Sequence, residues 1–179
     1  MSTWQAYLDD LVFTFRKQKQ TAEKAFTQLD LHRDFFKKPG ENSNSVAIII
    51  KHLAGNLTSR FSDLLTSDGE KPWRDRDAEF VLGPADTGAN LLAAWEQAWA
   101  ILFATLATLQ ETDLQRTITI RGEEHTLLQA LHRSLAHTAY HVGQIVYLAR
   151  LLKTEGWEWI TIPPGQSKEA LEQKRPYLH

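Results

Sequence analysis

The chain has 179 residues, 42% hydrophobic and 23% charged, with 20 basic against 22 acidic side chains and a formal net charge of -2. That length and balance predict one globular domain, 1–179, and mark the protein as a whole for neither nucleic acid nor anionic lipid. With Cys 0 there are no disulfides, no thiolate ligands and no cysteine nucleophile, so any metal must be held by nitrogen and oxygen.

The first residues show no basic region followed by an apolar run, and no stretch approaches eighteen consecutive apolar residues. A cytoplasmic protein without a membrane partner is the expectation. From 3 to about 29 the apolar residues Trp4, Tyr7, Leu8, Leu11, Phe15, Ala22, Ala25, Phe26 and Leu29 recur every three or four positions, which predicts a helix with one buried stripe. The lysines and arginines between them form its solvated face. Lys37-Lys38-Pro39-Gly40-Glu41-Asn42-Ser43 reads as a loop, and Asn44 or Ser45 caps the second helix.

That second helix is predicted over 46–65. Its β-branched opening would suit a strand, but the run contains no turn signal, and Ile49, Leu53, Leu57, Phe61 and Leu64 keep helical spacing. A long polar connection follows and closes on Gly83-Pro84-Ala85-Asp86-Thr87; connections of this length usually pack on a domain or shape a site. Leu91, Leu92, Trp95, Trp99, Leu102, Leu106 and Leu109 give the third helix its stripe. Thr117-Ile-Thr-Ile120 alternates strictly before Arg121-Gly122, predicting a small β-hairpin, and Thr126-Leu-Leu-Gln129 has the form of a capping box opening the fourth helix, 126–153. Ser167 caps a short terminal helix. The fold class is all-α, a four-helix bundle with a β-hairpin before the last long helix.

The fourth helix carries His137-Thr-Ala-Tyr-His141. At about 100° per residue, His141 lies ~40° from His137, with Ser134 at ~60° and Gln144 at about -20°, whereas His132 falls at ~220°, on the other side of the helix. Imidazoles at i and i+4 stand one above the other and can bind one transition metal if a third ligand arrives from elsewhere. The second helix offers His52, with Asn56 one turn on, and in a bundle the middle of helix two can face the middle of helix four. His52, His137 and His141 therefore make a candidate three-nitrogen site. The alternative is that these are core histidines hydrogen-bonded to polar neighbours. His32, His125 and His179 read as surface residues. The pair lacks the glutamate of a zincin helix, and neither a di-iron motif, a phosphate loop nor a nucleophile elbow is present.

Lys51-His52-Leu-Ala-Gly-Asn56, Asp68-Gly-Glu-Lys-Pro-Trp73-Arg74, Thr117-Ile-Thr-Ile-Arg-Gly122 and His137-x-x-x-His141-Val-Gly-Gln144-Ile145, in this order and over nearly the whole chain, resemble the DinB/YfiT-like metalloenzyme superfamily, specifically its branch of small bacterial proteins without a settled reaction. The resemblance implies a four-helix bundle holding nickel or zinc on His52, His137 and His141, in a homodimer. It also implies a small-molecule substrate and a low-molecular-weight thiol such as mycothiol or bacillithiol, used for transfer or isomerisation.

Three neutral ligands leave a divalent ion an open position from which it can activate water for hydrolysis or an external thiol for S-transfer. Asn56 and Gln144 can orient water or substrate, or act as packing and supporting residues, and Tyr140 can reach the edge of the site. No catalytic acid or base is identified. A metal-binding bundle with a regulatory or interaction role and no turnover is the second reading.

Overall fold

The computed structural model describes residues 2–173, so His179 lies outside the described residues. Helix α1 (Thr3–Phe26) starts at Ser2, whose hydroxyl accepts the Gln5 N–H at 3.2 Å, and buries the predicted stripe from Trp4 to Phe26 apart from the half-buried Tyr7. Leu29 is also buried, but in the turn beyond the helix.

Helix α2 (Val46–Phe61) is capped by Ser45, which accepts the Ile48 N–H at 3.3 Å. Its β-branched opening stays helical because nearly every side chain, from Val46 to Phe61, is buried, so packing on all sides outweighs a small propensity cost. The helix ends earlier than its apolar spacing predicts. Ser62 turns extended at ψ 124° and Asp63 takes φ 50°, which reverses the chain while leaving Leu64 in the core.

Helix α3 (Gly88–Thr108) is capped by Thr87, which accepts the Asn90 N–H. By length and composition alone it could cross a membrane, yet Leu91, Trp95, Ala98, Trp99, Leu102 and Leu106 form a stripe buried in the bundle. Strands β1 (Thr117–Ile120) and β2 (Glu123–Thr126) pair antiparallel with Ile120 opposite Glu123. Their two-residue turn needs a positive φ at both positions, met by Arg121 at 57° and Gly122 at 75°. Helix α4 (Leu127–Leu152) opens with the predicted capping box of Thr126 and Gln129. Ser167 is the first residue of α5 (Ser167–Glu172) rather than its cap; Gln166 precedes the helix without a side-chain hydrogen bond.

Helix α1 packs on α4 and α2 on α3, with α2–α4 and α1–α3 contacts closing the bundle. Tyr7 meets His132 and Gln28 meets Glu158, so α1 and α4 run the same way. Phe15 and Phe26 meet Trp99 and Trp95, so α3 runs against α1. Lys51 pairs with Asp86 and Thr105 donates to the Phe61 carbonyl, which makes α2 parallel to α3 and antiparallel to α4. The core is held by edge-on rings, Phe15 on Phe61 at 6.1 Å and on Trp99 at 6.2 Å. Each such fully buried side chain contributes roughly 1.5–3 kcal/mol relative to exposure.

The connection between α2 and α3 folds back over α2 and is tied to the hairpin. Ser59 and Arg60, on the last turn of α2, both donate to the Gly69 carbonyl. The Asp68 carboxylate accepts the N–H groups of Glu70, Arg121 and Gly122 at 2.6, 2.8 and 2.8 Å. A short 3-10 turn, Asp77–Phe80, then lies against α2 and puts Glu79 and Phe80 beside His52.

Candidate metal centre

Because α2 and α4 run antiparallel, the stripe His52, Asn56, Arg60 on one faces the stripe His141, His137, Ser134, Ala130 on the other. The structure brings His52, His137 and His141 together, with ring centroids 4.6 to 5.2 Å apart and one ring nitrogen from each within 4.8 Å of the others. His52 Nε2 stands 3.3 Å from His137 Nε2. Two nitrogens each ~2.0–2.1 Å from one tetrahedral ion would lie ~3.3–3.4 Å apart, so this spacing already suits shared coordination. His132 points away: it is exposed and edge-on to Tyr7.

The outer nitrogens decide which lone pairs face inward. His52 Nδ1 is 2.7 Å from Glu79 Oε2; a carboxylate can only accept there, so Nδ1 carries a proton and Nε2 is the nitrogen left to ligate a metal. Glu79 is itself gripped by Arg74, with Nε to Oε1 at 2.7 Å and Nη2 to Oε2 at 2.9 Å. Burial pushes the Glu79 carboxyl up, but the bonds from His52 and Arg74 outweigh it and hold the group below its ordinary range. It therefore stays an anion although only 6% exposed. His141 Nδ1 donates to Gln144 Oε1 at 2.8 Å, which frees its Nε2 in the same way.

His137 is the unsettled member. Its Nδ1 is buried and has no hydrogen-bond partner among the described residues. Burial first, then the neighbouring His141, His52, Arg74 and Arg60, push its pKa down to about 3, so the ring is neutral at physiological pH. Burial likewise lowers His141, against the opposing bond from Gln144. Three imidazoles converging their nitrogens are a poor hydrogen-bond arrangement but a good donor set for a divalent cation, and this group could hold one.

The other expected residues fall around this centre. Gln144 sits behind His141, Asn56 lines a cavity next to His52, and Tyr140 is 64% exposed with its ring 5.0 Å from that of His141. Trp73 is 61% exposed, while Trp157 and Trp159 flank Arg150 at the far end of α4.

Sequence reading misses Glu79, Arg74 and Phe80, whose ring tilts over His52 at 4.8 Å. It also misses Gly55, where a Cβ would run into the Glu79 carboxylate. The length of the 62–87 connection signals that it shapes something, but its irregular backbone has no period from which to assign a face.

None of the curated proteins and none of the solved structures compared with the chain matches it. Residues 2–166 match the model of a protein family whose description is Protein of unknown function (DUF1572). A match over that much of the chain shows that the protein belongs to the DUF1572 family.

Proposed function

We propose that this is a divalent-metal enzyme of the DinB/YfiT-like kind, with nickel or zinc on His52, His137 and His141 and an external thiol or water as the nucleophile. The observation that carries the reading is the tautomer lock: Glu79 and Gln144 hold the outer nitrogens of two rings so that lone pairs turn toward the third. The order of helices and hairpin, and the His137-x-x-x-His141 spacing, support the family resemblance.

A divalent ion held by three neutral ligands keeps its full charge and an open position, where it lowers the pKa of water to about 7 and ionises a thiol. The chain's own residues then position and exclude. Glu79, itself gripped by Arg74, fixes the orientation of His52. Phe80 covers one face of the His52 ring, and the cavity beside His52 and His137 leaves one side open to a small molecule. With no cysteine in the chain, a thiol nucleophile has to be a cosubstrate. The same resemblance leads us to propose a homodimer, which sedimentation would overturn by finding a monomer at working concentrations.

Metal analysis of tag-free protein tests the site. Stoichiometric nickel or zinc, lost in both His52→Ala and His141→Ala, is the expected result; full occupancy in either variant overturns it. A panel of low-molecular-weight thiols and electrophiles then tests turnover. A metal-loaded protein inert with all of them would favour the non-catalytic reading.

A further inference from the structure

We propose that the cavity beside the histidines binds the anionic group, a carboxylate or a phosphate, of a small organic molecule whose reacting atom lies at the metal position. This deepens the reading above by naming a substrate class for the same site, and it rests on that reading for the reacting atom, though not for the anion itself.

The cavity measures about 260 Å³, just under the ~300 Å³ at which small-molecule pockets usually begin, so its ligand is small. Four guanidinium groups line it, those of Arg60, Arg76, Arg121 and Arg133, and no carboxylate does. In a chain of net charge -2 this is a local concentration of positive charge, not the average of the surface.

The nearby carboxylates do not neutralise it. Glu70 is shared by Arg60 and Arg121, each at 2.9 Å, and lies 3.4 Å from Arg74. Glu79 is taken by Arg74 and His52. Arg76 stacks over the Phe80 ring and comes no closer than 3.6 Å to Asp77, a carboxylate almost wholly in water. Arg133, one helical turn before His137 and on the same face, has no ion pair or hydrogen bond among the described residues.

Surface arginines without partners are common, and alone they would indicate only solvation. Two neutral side chains make the difference. Ser134 is 7% exposed and its Oγ is buried without a hydrogen-bond partner; Asn56 is 7% exposed, and its amide takes no hydrogen bond among the described residues. Both line the cavity, from opposite helices. A buried hydroxyl left unsatisfied costs stability unless a ligand completes it, and the Asn56 amide across the cavity has donors to spare. An anion accepts from guanidinium, hydroxyl and amide together, and Arg supplies the planar fork that suits a carboxylate or phosphate. Arg133, Ser134 and Asn56 thus hold the charged end, with the rest of the molecule directed along the helices toward His137 and His52.

Titration followed by nuclear magnetic resonance, using phenylphosphonate, benzoate and the neutral isostere benzamide, tests this on both chelator-treated and metal-loaded protein. At least one anion is expected to bind the chelator-treated protein ten times or more tighter than benzamide. A phosphonate preference identifies a phosphate, and a benzoate preference a carboxylate. Arg133→Ala should weaken the preferred anion at least tenfold and Arg133→Lys less, while Arg150→Ala, on the same helix but outside the cavity, should leave it unchanged. Benzamide binding as tightly as the anions, or Arg133→Ala binding like the parent with its helical circular dichroism intact, overturns the proposal. Since the chelator-treated protein carries the measurement, a failed metal analysis and a failed anion site give separate results.

Discussion

Gly55 offers the sharpest test of how the centre is built. Replacing a helical glycine by alanine ordinarily stabilises a protein by roughly 0.5–1 kcal/mol, because the unfolded chain loses freedom and the helix gains a good former. Here the new methyl would overlap Glu79 Oε1 and stand 2.8 Å from its Cδ and 3.3 Å from its Cγ. Ordinary carbon contact lies at ~3.5–4.0 Å, so the carboxylate must retreat by about 0.7–1.2 Å. Its bonds of 2.7 Å to His52 and 2.7 Å to Arg74 cannot both survive such a shift. Charge-assisted bonds are worth roughly 1.5–3 kcal/mol each, so losing one or both against the helix gain leaves Gly55→Ala destabilised by about 0.5–5 kcal/mol. Untying His52 should also weaken metal binding by roughly 10–100-fold. Chelator-competition titration and thermal unfolding read the two effects. Gly143, mid-α4, is the control, since a Cβ there meets nothing within 4 Å and Gly143→Ala should give only the helix gain. If Gly55→Ala is as stable as Gly143→Ala and binds metal within twofold of the parent, Glu79 does not organise the site.

Gln144→Leu removes the acceptor of His141 Nδ1 and should lower metal affinity about tenfold with little change in melting temperature, measured by the same competition titration. Asp68→Ala frees three backbone N–H groups, two of which dock the hairpin, and should cost about 2 kcal/mol in urea unfolding. Burial raises the Asp68 carboxyl, but those three donors outweigh it and hold the group below its ordinary range. Its contribution is therefore fully present above an unfolded value of ~3.9 and is lost as pH falls through the folded one, so Asp68→Asn should flatten the acid limb of a stability-against-pH curve. Chelation of metal-loaded protein should lower the melting temperature, since free metal at a hundredfold excess over Kd stabilises by ~2.7 kcal/mol; a melt indifferent to chelator would contradict binding to the folded state.

The bundle is legible because helices repeat. The stripes of α1 and α3, the Ser45 and Thr87 caps and the Thr126–Gln129 capping box all follow from spacing and side-chain chemistry, and the structure reproduces them except that Tyr7 and Leu92 are half-buried and Leu109 lies just past α3. Where the period misleads, a local backbone event is responsible. Leu64 continues the spacing of α2 and is buried, yet Asp63 at φ 50° has already ended the helix, because a side chain can reach the core from a turn as well as from a helix. At Ser167 residue type suggests a cap that the backbone does not use.

The candidate site divides along the same line. His137 and His141 share a face by arithmetic, and His52 meets them because two antiparallel helices bring their middles together. Glu79 follows no such rule, being 27 residues from His52 across an irregular connection. Yet its position has its own logic. An anion this deeply buried is tolerable only if it is paired, and Arg74, its side chain 2% exposed, is tolerable only for the same reason. Each requires the other, and neither alone would stay beside three buried imidazoles. Their pairing leaves the Glu79 Oε2 atom aimed at His52 Nδ1. The proton that this bond fixes on Nδ1 leaves Nε2, 3.3 Å from His137 Nε2, as the nitrogen that can ligate a metal.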